Sequence, residues 1–540
     1  MKTITNPILR GFNPDPSILR VGGDYFIATS TFEWFPGVQI HHSKDLIHWK
    51  LLIRPLDRVS QLHMLGNPDS GGIWAPCLSW SDGLFYLIYT DVKTWDGPFN
   101  FKDAHNYLVT APDILGHWSE PIYLNSSGFD PSLFHDKDGR KWLVNMLWDF
   151  RKMRGSEMFA GIVLQEYDQA QKRLVGASRN IFAGTPIGLV EGPHLYAHNG
   201  YYYLMTAEGG TSYEHAVTVA RSKQIEGPYE VDPQNPMLRA FGKPELGLQK
   251  TGHASLVETQ TGDWYLAHLC GRPIGKERRC ILGRETSLQK CVWTEDGWLR
   301  LEGGGNDAKV AVPAPDLPEH SFAPEPPRDD FDAPTLNLHF QTLRIPADPS
   351  WLSLTERPGF LRLYGQESLT SRHRQSLVAR RVQALPCEAS TCLEFHPANF
   401  QQMAGITAFY DVELHYYLFV SYDEQYGGTH LNMLAMDSRE TAHNSTSPFA
   451  ISFPLAQPVP IDGWERVYLK VTFQGETLQF AYSHDGNAWQ NIGPALDATK
   501  LSDDYDTLSF TGAFVGLCVQ DLHNHSAYAD FDWFEYREVA

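Results

Sequence analysis

The 540-residue sequence has few cysteines for its length, and their pattern is not that of a disulfide framework. It contains seven, an odd number, and none of them form a CxxC motif. Such usage is typical of thiols that stay reduced inside a cell. We therefore expect a cytoplasmic protein without structural disulfides.

Long apolar runs and an excess of positive charge are also missing. The first residues, MKTITNPILRGFNPDP, contain no apolar segment like that of a signal peptide, and no later run approaches transmembrane length. Lys and Arg number 44 against 64 Asp and Glu, a net charge of −20. An acidic surface repels phosphate backbones and anionic lipids. We expect no nucleic-acid or membrane partner, and a neutral substrate such as an imported sugar is compatible with this charge.

Helical periodicity does not persist in residues 1–312, where a strand repeat is found instead. Each copy has a polar-apolar strand, a glycine turn and an aromatic-aliphatic strand, and an aromatic residue stands three positions after the glycine. The glycines are separated by 60, 56, 61 and 62 residues: Gly23, Gly83, Gly139, Gly200 and Gly262. A strand repeat of this period predicts an all-β fold, a propeller of five blades.

The repeat also predicts where a site forms. One residue eight or nine positions before each turn glycine is expected at the start of the strand nearest the axis: Asp15, Trp74, Asp130, Glu191 and His253. Three carboxylates, an imidazole and an indole would then converge at one end of the central channel. Clustered like charges cost free energy and are tolerated mainly where function requires them.

Three converging carboxylates suit the hydrolysis of a glycosidic bond. One carboxyl group must donate a proton to the leaving oxygen, the second must be ionised to activate water or attack, and the third can adjust their pKa values. A divalent-cation site of Asp15, Asp130, Glu191 and His253 is an alternative. The aromatic neighbours Trp74 and Phe129, and the lack of a short ligand spacing, favour a sugar.

A proline-rich stretch divides the chain. Six prolines fall within residues 312–330, which excludes a helix or a central strand there. We assign residues 1–311 to the propeller, 312–328 to a linker and 329–540 to a second domain. That domain alternates by twos, as in the hairpin of residues 467–473 and 477–486, and this predicts a β-sandwich.

Two acidic stretches open and close the second domain, DDFD at 329–332 and ADFDWFEY at 529–536. If the first and last strands are neighbours, Asp332 and Asp532 can share one hard cation through oxygen ligands. We therefore predict a structural calcium ion there, with two solvated surface acids as the alternative. We expect catalysis itself to need no cofactor.

Eight motifs give the sequence a specific resemblance. They are GFNPDPSI (11–18), TSTFEWFPGVQIHHSKDL (29–46), NPDSGGIWAP (67–76), GFDPSLFHD (128–136), EGPHLY (191–196), TAEGGTSYEH (206–215), GHASLVET (252–259) and LGRET (282–286). With FTGAFVGL at 510–517, the chain resembles the β-xylosidases of glycoside hydrolase family 43 along nearly its whole length. The resemblance implies a five-bladed propeller followed by a concanavalin-like sandwich. It also implies an inverting enzyme that releases xylose from the non-reducing end of xylo-oligosaccharides, with a possible α-L-arabinofuranosidase side activity.

The resemblance also implies roles for individual residues. Asp15 matches the general base, Glu191 the general acid, and Asp130 the carboxylate that orients the acid and raises its pKa. The substrate-binding positions are an arginine that holds sugar hydroxyls, a histidine beneath the catalytic centre and four aromatic walls: Arg284, His253, Trp74, Phe32, Phe129 and Phe510. Phe510 belongs to the second domain, which is thus expected to help close the pocket.

Two other functions remain as alternatives. An endo-acting arabinanase would use the same propeller with an open groove, and a non-catalytic sugar-binding propeller would not need three carboxylates. The resemblance further implies a homo-oligomer, a tetramer or a dimer.

Overall fold

The chain folds almost entirely into β-strands. The computed structural model describes residues 2–96, 100–152, 155–439, 449–505 and 509–539. Within these ranges helical residues are confined to the short α-helix Gly155–Met158, the 3-10 turn Ala498–Lys500 and residues 438–439. The all-β prediction is confirmed.

Five antiparallel sheets form the N-terminal unit, so the five-bladed propeller is confirmed. Each blade starts with a hairpin that coincides with one copy of the sequence repeat. The strands are, for blade 1, Ser17–Val21, Asp24–Thr29, Gln39–Ser43 and Lys50–Ile53; for blade 2, Gly72–Ser81, Leu84–Thr94, Asp103–Ala111 and Ile122–Asn125; for blade 3, Ser132–His135, Lys141–Trp148, Phe159–Asp168 and Arg173–Phe182; for blade 4, Glu191–His198, Tyr201–Glu208, Ala216–Ser222, Glu230–Val231 and Leu238–Arg239; and for blade 5, Gln249–Glu258, Trp264–Gly271, Glu285–Trp293 and Leu299–Leu301.

The hairpin turns explain the repeated glycines. In blade 2 the turn residues Asp82 and Gly83 have φ of 54° and 77°, and in blade 4 Asn199 and Gly200 have 46° and 78°. Two consecutive positive φ values are the signature of the type I′ turn, whose twist matches that of the flanking strands. In blade 1 the left-handed residue is Gly22.

The first strand of each blade contacts the first strands of both neighbours, and this closes the ring around the axis. Serine hydroxyls join the blades: Ser17 Oγ accepts the Leu78 N–H at 3.0 Å, and Ser255 Oγ accepts the Ile18 N–H at 2.8 Å. An additional strand pair, Thr3–Thr5 with Ala311–Pro313, ties the N-terminus to the end of the propeller. The first residues of the predicted linker therefore lie in the propeller unit.

Two packed sheets form the C-terminal sandwich. One contains Arg328–Asp329, Leu352–Ser353, Leu361–Tyr364, Cys387–Glu394, Val467–Gln474, Thr477–Ser483, Gln490–Asp497 and Tyr528–Glu538. The other contains Gln341–Leu343, Ser376–Arg381, Gln402–Asp411, Leu414–Tyr422, Thr429–Asp437, Ile451–Ser452, Val459–Pro460 and Phe514–Asp521. The predicted hairpin is present, with Gln474 opposite Thr477.

The propeller and the sandwich are joined by more than the linker. A propeller segment, Trp34–Phe35, pairs with Gln341–Leu343 and so becomes the edge strand of the second sandwich sheet. The Trp34 ring stacks on Phe514, with centroids 3.8 Å apart and planes 12° apart. An edge strand that would otherwise expose unpaired backbone groups is thereby covered.

The seven cysteines are all buried and free, as the sequence predicts. In the part of the chain that the structure describes, none of the helices has the length and apolar character needed to span a bilayer.

Candidate active site

In every blade one residue near the start of the innermost strand adopts a left-handed backbone. The equivalent positions are Asp15, Ala75, Asp130, Gly192 and His253, with φ of 55°, 37°, 55°, 57° and 40°. Trp74 and Glu191 stand one residue before this position, so the alignment that made them equivalent to Asp15 was wrong by one residue. In each blade either the left-handed residue or its predecessor lines the pocket at the end of the channel.

Asp15 is buried and held by three polar partners. Arg284 Nη1 donates to its Oδ1 at 2.9 Å, the Ser30 hydroxyl donates to its Oδ2 at 2.7 Å, and His253 Nδ1 lies 3.6 Å from Oδ1. Burial alone would raise the pKa of this carboxyl group, but Arg284, His253 and Ser30 outweigh burial and hold the pKa below its usual range. Asp15 is therefore ionised at neutral pH.

Glu191 has the opposite environment. Burial raises its pKa well above the usual range, and the negative charges of Asp130 and Asp15 raise it further, against smaller opposing effects of Arg284 and Lys102. Its Oε1 is buried without a hydrogen-bond partner among the described residues. A protonated carboxyl group with a free oxygen suits a proton donor to a substrate oxygen.

Asp130 connects the other two carboxyl groups. Its Oδ2 accepts the backbone N–H of Gly192, the residue after Glu191, at 3.0 Å. Burial raises the pKa of Asp130 to about 6, and the Asp15 charge adds to this while His253 opposes it. Asp130 thus fixes the backbone beside Glu191 and places a negative charge near it.

The His253 ring lies directly against Gly192. A Cβ atom at Gly192 would come within 3.1 Å of His253 Nε2, so only glycine fits there without a shift. His253 therefore lies close to both the backbone beside Glu191 and the Asp15 carboxylate.

These carboxyl groups open into a pocket of about 740 Å³ whose lining includes residues of all five blades and of the sandwich. Aromatic rings form its walls. The Trp74 ring packs edge-on against Phe129 with centroids 5.3 Å apart, and Phe32 lies 6.1 Å from Trp74. The predicted residues Phe32, Trp74 and Phe129 are therefore brought together with the carboxyl groups.

Phe510 reaches this pocket from the sandwich. Its ring centroid lies 4.9 Å from Trp95, 5.5 Å from Trp74 and 5.9 Å from Phe32. Its carbonyl oxygen accepts Arg284 Nη2 at 3.2 Å. Phe510 is half-buried and packs against propeller residues rather than inside the sandwich core.

Sequence reasoning missed several pocket residues. The Lys102 ammonium group lies over the rings of Trp148, Trp95 and Trp74, at 4.7, 5.4 and 5.7 Å from their centroids. Burial lowers the pKa of Lys102 to about 8. The strand repeat carries no signal for Trp95 and Lys102, because they lie between the blade 2 strands Leu84–Thr94 and Asp103–Ala111.

The predicted calcium site is not tested by these contacts and stays a prediction. The opening and closing strands of the sandwich are neighbours, with Asp329 opposite Phe534. Asp532 Oδ2 pairs with Arg466 at 3.0 Å. Over the described ranges, no cluster of three or more His, Cys, Asp or Glu side chains is arranged to hold a metal ion. Elemental analysis and melting with a chelator would test the site.

A pocket in which one carboxyl group has a lowered pKa and a second has a raised pKa contains the groups that acid–base cleavage of a glycosidic bond requires, which is the chemistry of a glycoside hydrolase. Comparison with known families agrees. Residues 4–299 match the model of Glycosyl hydrolases family 43, and residues 328–537 match the β-xylosidase C-terminal concanavalin A-like domain. The chain belongs to glycosyl hydrolase family 43.

Individual relatives cover the whole chain. A β-xylosidase of Bacillus subtilis is 53% identical over 99% of this chain and 99% of its own length. A xylosidase/arabinosidase of Humicola insolens is 50% identical over 100% of this chain and 98% of its own length. Among solved structures, a xylan β-1,4-xylosidase from Bacillus halodurans superposes with a TM-score of 0.94 at 60% identity, covering 99% of this chain and 100% of that one.

Proposed function

We propose that this chain is an inverting exo-glycosidase that releases xylose from the non-reducing end of xylo-oligosaccharides. The observation that carries the proposal is the opposite ionisation of two carboxyl groups in one pocket, Asp15 with a lowered pKa and Glu191 with a raised one. The names of the relatives at 50% identity and above support xylosides as the substrate class.

In this mechanism Asp15 accepts a proton from a water molecule as that water attacks the anomeric carbon. Glu191 donates its proton to the leaving oxygen as the glycosidic bond breaks. Both changes occur in one displacement, so the anomeric configuration inverts. Arg284 keeps Asp15 ionised in the resting enzyme and, as a donor at the pocket wall, orients the sugar hydroxyls.

Asp130 supports the acid. Its charge raises the pKa of Glu191, and its hydrogen bond to the Gly192 N–H fixes the chain at the start of the blade 4 strand. A general acid works best when its proton is retained at the operating pH. Asp130 therefore acts on the reaction through Glu191.

The shape of the pocket supports action at a chain end. Trp95 and Phe510 close one side through rings 4.9 Å apart, and Phe159 stands beside Phe129 with centroids 6.0 Å apart. An endo-acting enzyme needs a groove open at both ends. A pocket closed on one side therefore favours an exo-acting enzyme over the endo-arabinanase alternative. Three converging carboxyl groups favour an enzyme over a propeller that only binds sugar.

A side activity on α-L-arabinofuranosides is a second candidate. One relative at 50% identity is named a xylosidase/arabinosidase, and an α-L-arabinofuranosidase of Bacteroides ovatus is 34% identical over 99% of this chain. Cytoplasmic location and assembly into a dimer or tetramer also stay proposals, the first supported by seven cysteines that are buried and form no disulfide.

The test is an analysis of the sugars released from xylotetraose, aryl α-L-arabinofuranoside and linear arabinan. We expect xylose and xylotriose as the first products of xylotetraose, slower release of arabinose from the aryl glycoside, and no internal cleavage of arabinan. Xylobiose as the first product, or a ladder of arabinan fragments, would contradict the proposal.

A further inference from the structure

Several aromatic residues of the pocket wall form hydrogen bonds to one loop, residues 67–72 between blades 1 and 2. This loop is packed tightly beneath the backbone of Phe32. A Cβ atom at Gly72 would lie 2.4 Å from the Phe32 carbonyl oxygen, and one at Gly71 would lie 2.9 Å from the Pro68 carbonyl oxygen. The two glycines of the Asn-Pro-Asp-Ser-Gly-Gly sequence are thus required by the close approach.

Ser70 makes three hydrogen bonds from this loop. Its hydroxyl oxygen accepts the backbone N–H of Phe510 at 2.9 Å, and its carbonyl oxygen accepts the Trp74 indole N–H at 2.7 Å. Its own N–H donates to Glu33 Oε2 at 3.1 Å. With φ of 56°, Ser70 holds a left-handed backbone that a non-glycine residue rarely adopts. That conformation allows one residue to serve all three partners.

The loop is fixed on its other side by the sandwich. Arg344 Nη2 donates to Asp69 Oδ1 at 2.8 Å, and Arg344 Nε donates to the Asn67 carbonyl oxygen at 2.8 Å. The Asp69 carbonyl oxygen in turn accepts the Trp95 indole N–H at 3.0 Å. Arg344 is only 1% exposed, so both bonds are shielded from water.

We propose that Ser70 is a positioning residue for the substrate pocket, and that its hydroxyl holds Phe510 of the sandwich over the propeller. Both backbone polar groups of Phe510 are hydrogen-bonded. Its N–H donates to the Ser70 hydroxyl oxygen, and its carbonyl oxygen accepts from Arg284, which also donates to Asp15. Loss of the Ser70 hydroxyl leaves the Arg284 contact alone, so the Phe510 ring is no longer fixed against Trp74. This inference rests on the proposed release of xylose from chain ends.

The experiment compares Ser70→Ala and Ser70→Gly with the parent enzyme on xylobiose and xylohexaose. Both variants lack the hydroxyl, but glycine accommodates the left-handed backbone without strain. We expect KM for xylobiose to rise about three- to tenfold in both variants, as for the loss of one hydrogen bond, while kcat stays within about twofold. The ratio of kcat/KM for xylohexaose to that for xylobiose should rise.

The matched control is Ser43→Ala. The Ser43 hydroxyl is equally buried and accepts the Leu46 N–H at 2.9 Å, but it lies on blade 1 outside the pocket lining. It should leave both KM values unchanged. Ser70 variants whose kinetics match this control would overturn the inference, as would an effect in Ser70→Ala that is absent in Ser70→Gly, because the cause would then be strain. If the parent enzyme releases no xylose, the proposed function fails instead.

Discussion

At the scale of single residues, the site shows how two carboxyl groups acquire different chemistry. Asp15 and Glu191 are equally buried, each 5% exposed, so burial alone would raise both pKa values. The difference is in their neighbours: Asp15 has an arginine at 2.9 Å and a serine donor, whereas Glu191 faces two other carboxyl groups. In the proposed mechanism, charge placement therefore distinguishes the base from the acid.

Replacing each group by its amide should separate the two roles. An aryl xyloside with a good leaving group needs little protonation, so Glu191→Gln should lose about 10²–10⁴-fold on xylobiose but far less on the aryl substrate. Asp15→Asn should lose activity on both substrates, because water must be activated each time. Steady-state kinetics on the two substrates measure this. Equal losses on both substrates in both variants would contradict the assignment.

The pH profile should depend on the same two groups. Activity requires ionised Asp15, whose pKa is lowered, and protonated Glu191, whose pKa is raised, so kcat/KM should fall at acidic pH through Asp15 and at alkaline pH through Glu191. Asp130→Asn removes a negative charge that raises the pKa of Glu191, while its amide oxygen can still accept the Gly192 N–H. The alkaline limb should therefore move to lower pH. An alkaline limb that is unchanged or moves upward would show that Asp130 does not act on the acid.

The sequence repeat selected three carboxyl groups that the structure brings into one pocket, but it did not predict their surroundings. Asp15, Asp130 and Glu191 each precede a turn glycine, and these glycines recur at intervals of 56 to 62 residues. Lys102 and Ser70 lie in loops outside the repeat. Their importance arises from contacts with residues far away in the chain, such as the 440-residue separation between Ser70 and Phe510. No local sequence pattern indicates a contact between residues so far apart in the chain.

At the scale of elements, Asp504 and Phe510 of the sandwich both reach the propeller site. Lys250 of blade 5 extends to Asp504, with Nζ 2.5 Å from Asp504 Oδ1. The strand Phe514–Asp521 that follows continues into the sandwich sheet. The position of Phe510 was expected from family resemblance, because strand alternation alone would also permit a place in the sandwich core.

Phe510→Ala tests this element. With the ring among Trp74, Trp95 and Phe32, its loss should weaken xylobiose binding and improve the relative rate on xylohexaose, while the folded state persists. Kinetics on the two substrates and a melting curve should be measured together. A loss of about 3–5 kcal/mol in the free energy of unfolding with unaltered kinetics would instead be the behaviour of a core residue.

At the scale of the whole molecule, five blades and a sandwich were predictable, but their mode of joining was not. Propeller strands can be recognised in a sequence by their turn residues and by the alternation of apolar and polar residues. Both features are local and extend over about ten residues. The docking of Trp34–Phe35 onto a sandwich sheet pairs residues about 300 positions apart. Burial of Arg344 against Asp69 likewise depends on both units being folded. Sequence alternation specifies which face of a strand is apolar, and tertiary packing decides which partner covers it.

The most direct test of the account is the configuration of the first sugar released. Proton NMR, recorded within the first minutes of xylobiose hydrolysis and before mutarotation, reports the anomer at the newly formed reducing end. With Asp15 as the base that directs water to the face opposite Glu191, we expect α-xylose from the non-reducing unit of the β-linked disaccharide. β-Xylose as the initial product would contradict it, because it would require attack by an enzyme carboxylate rather than by water.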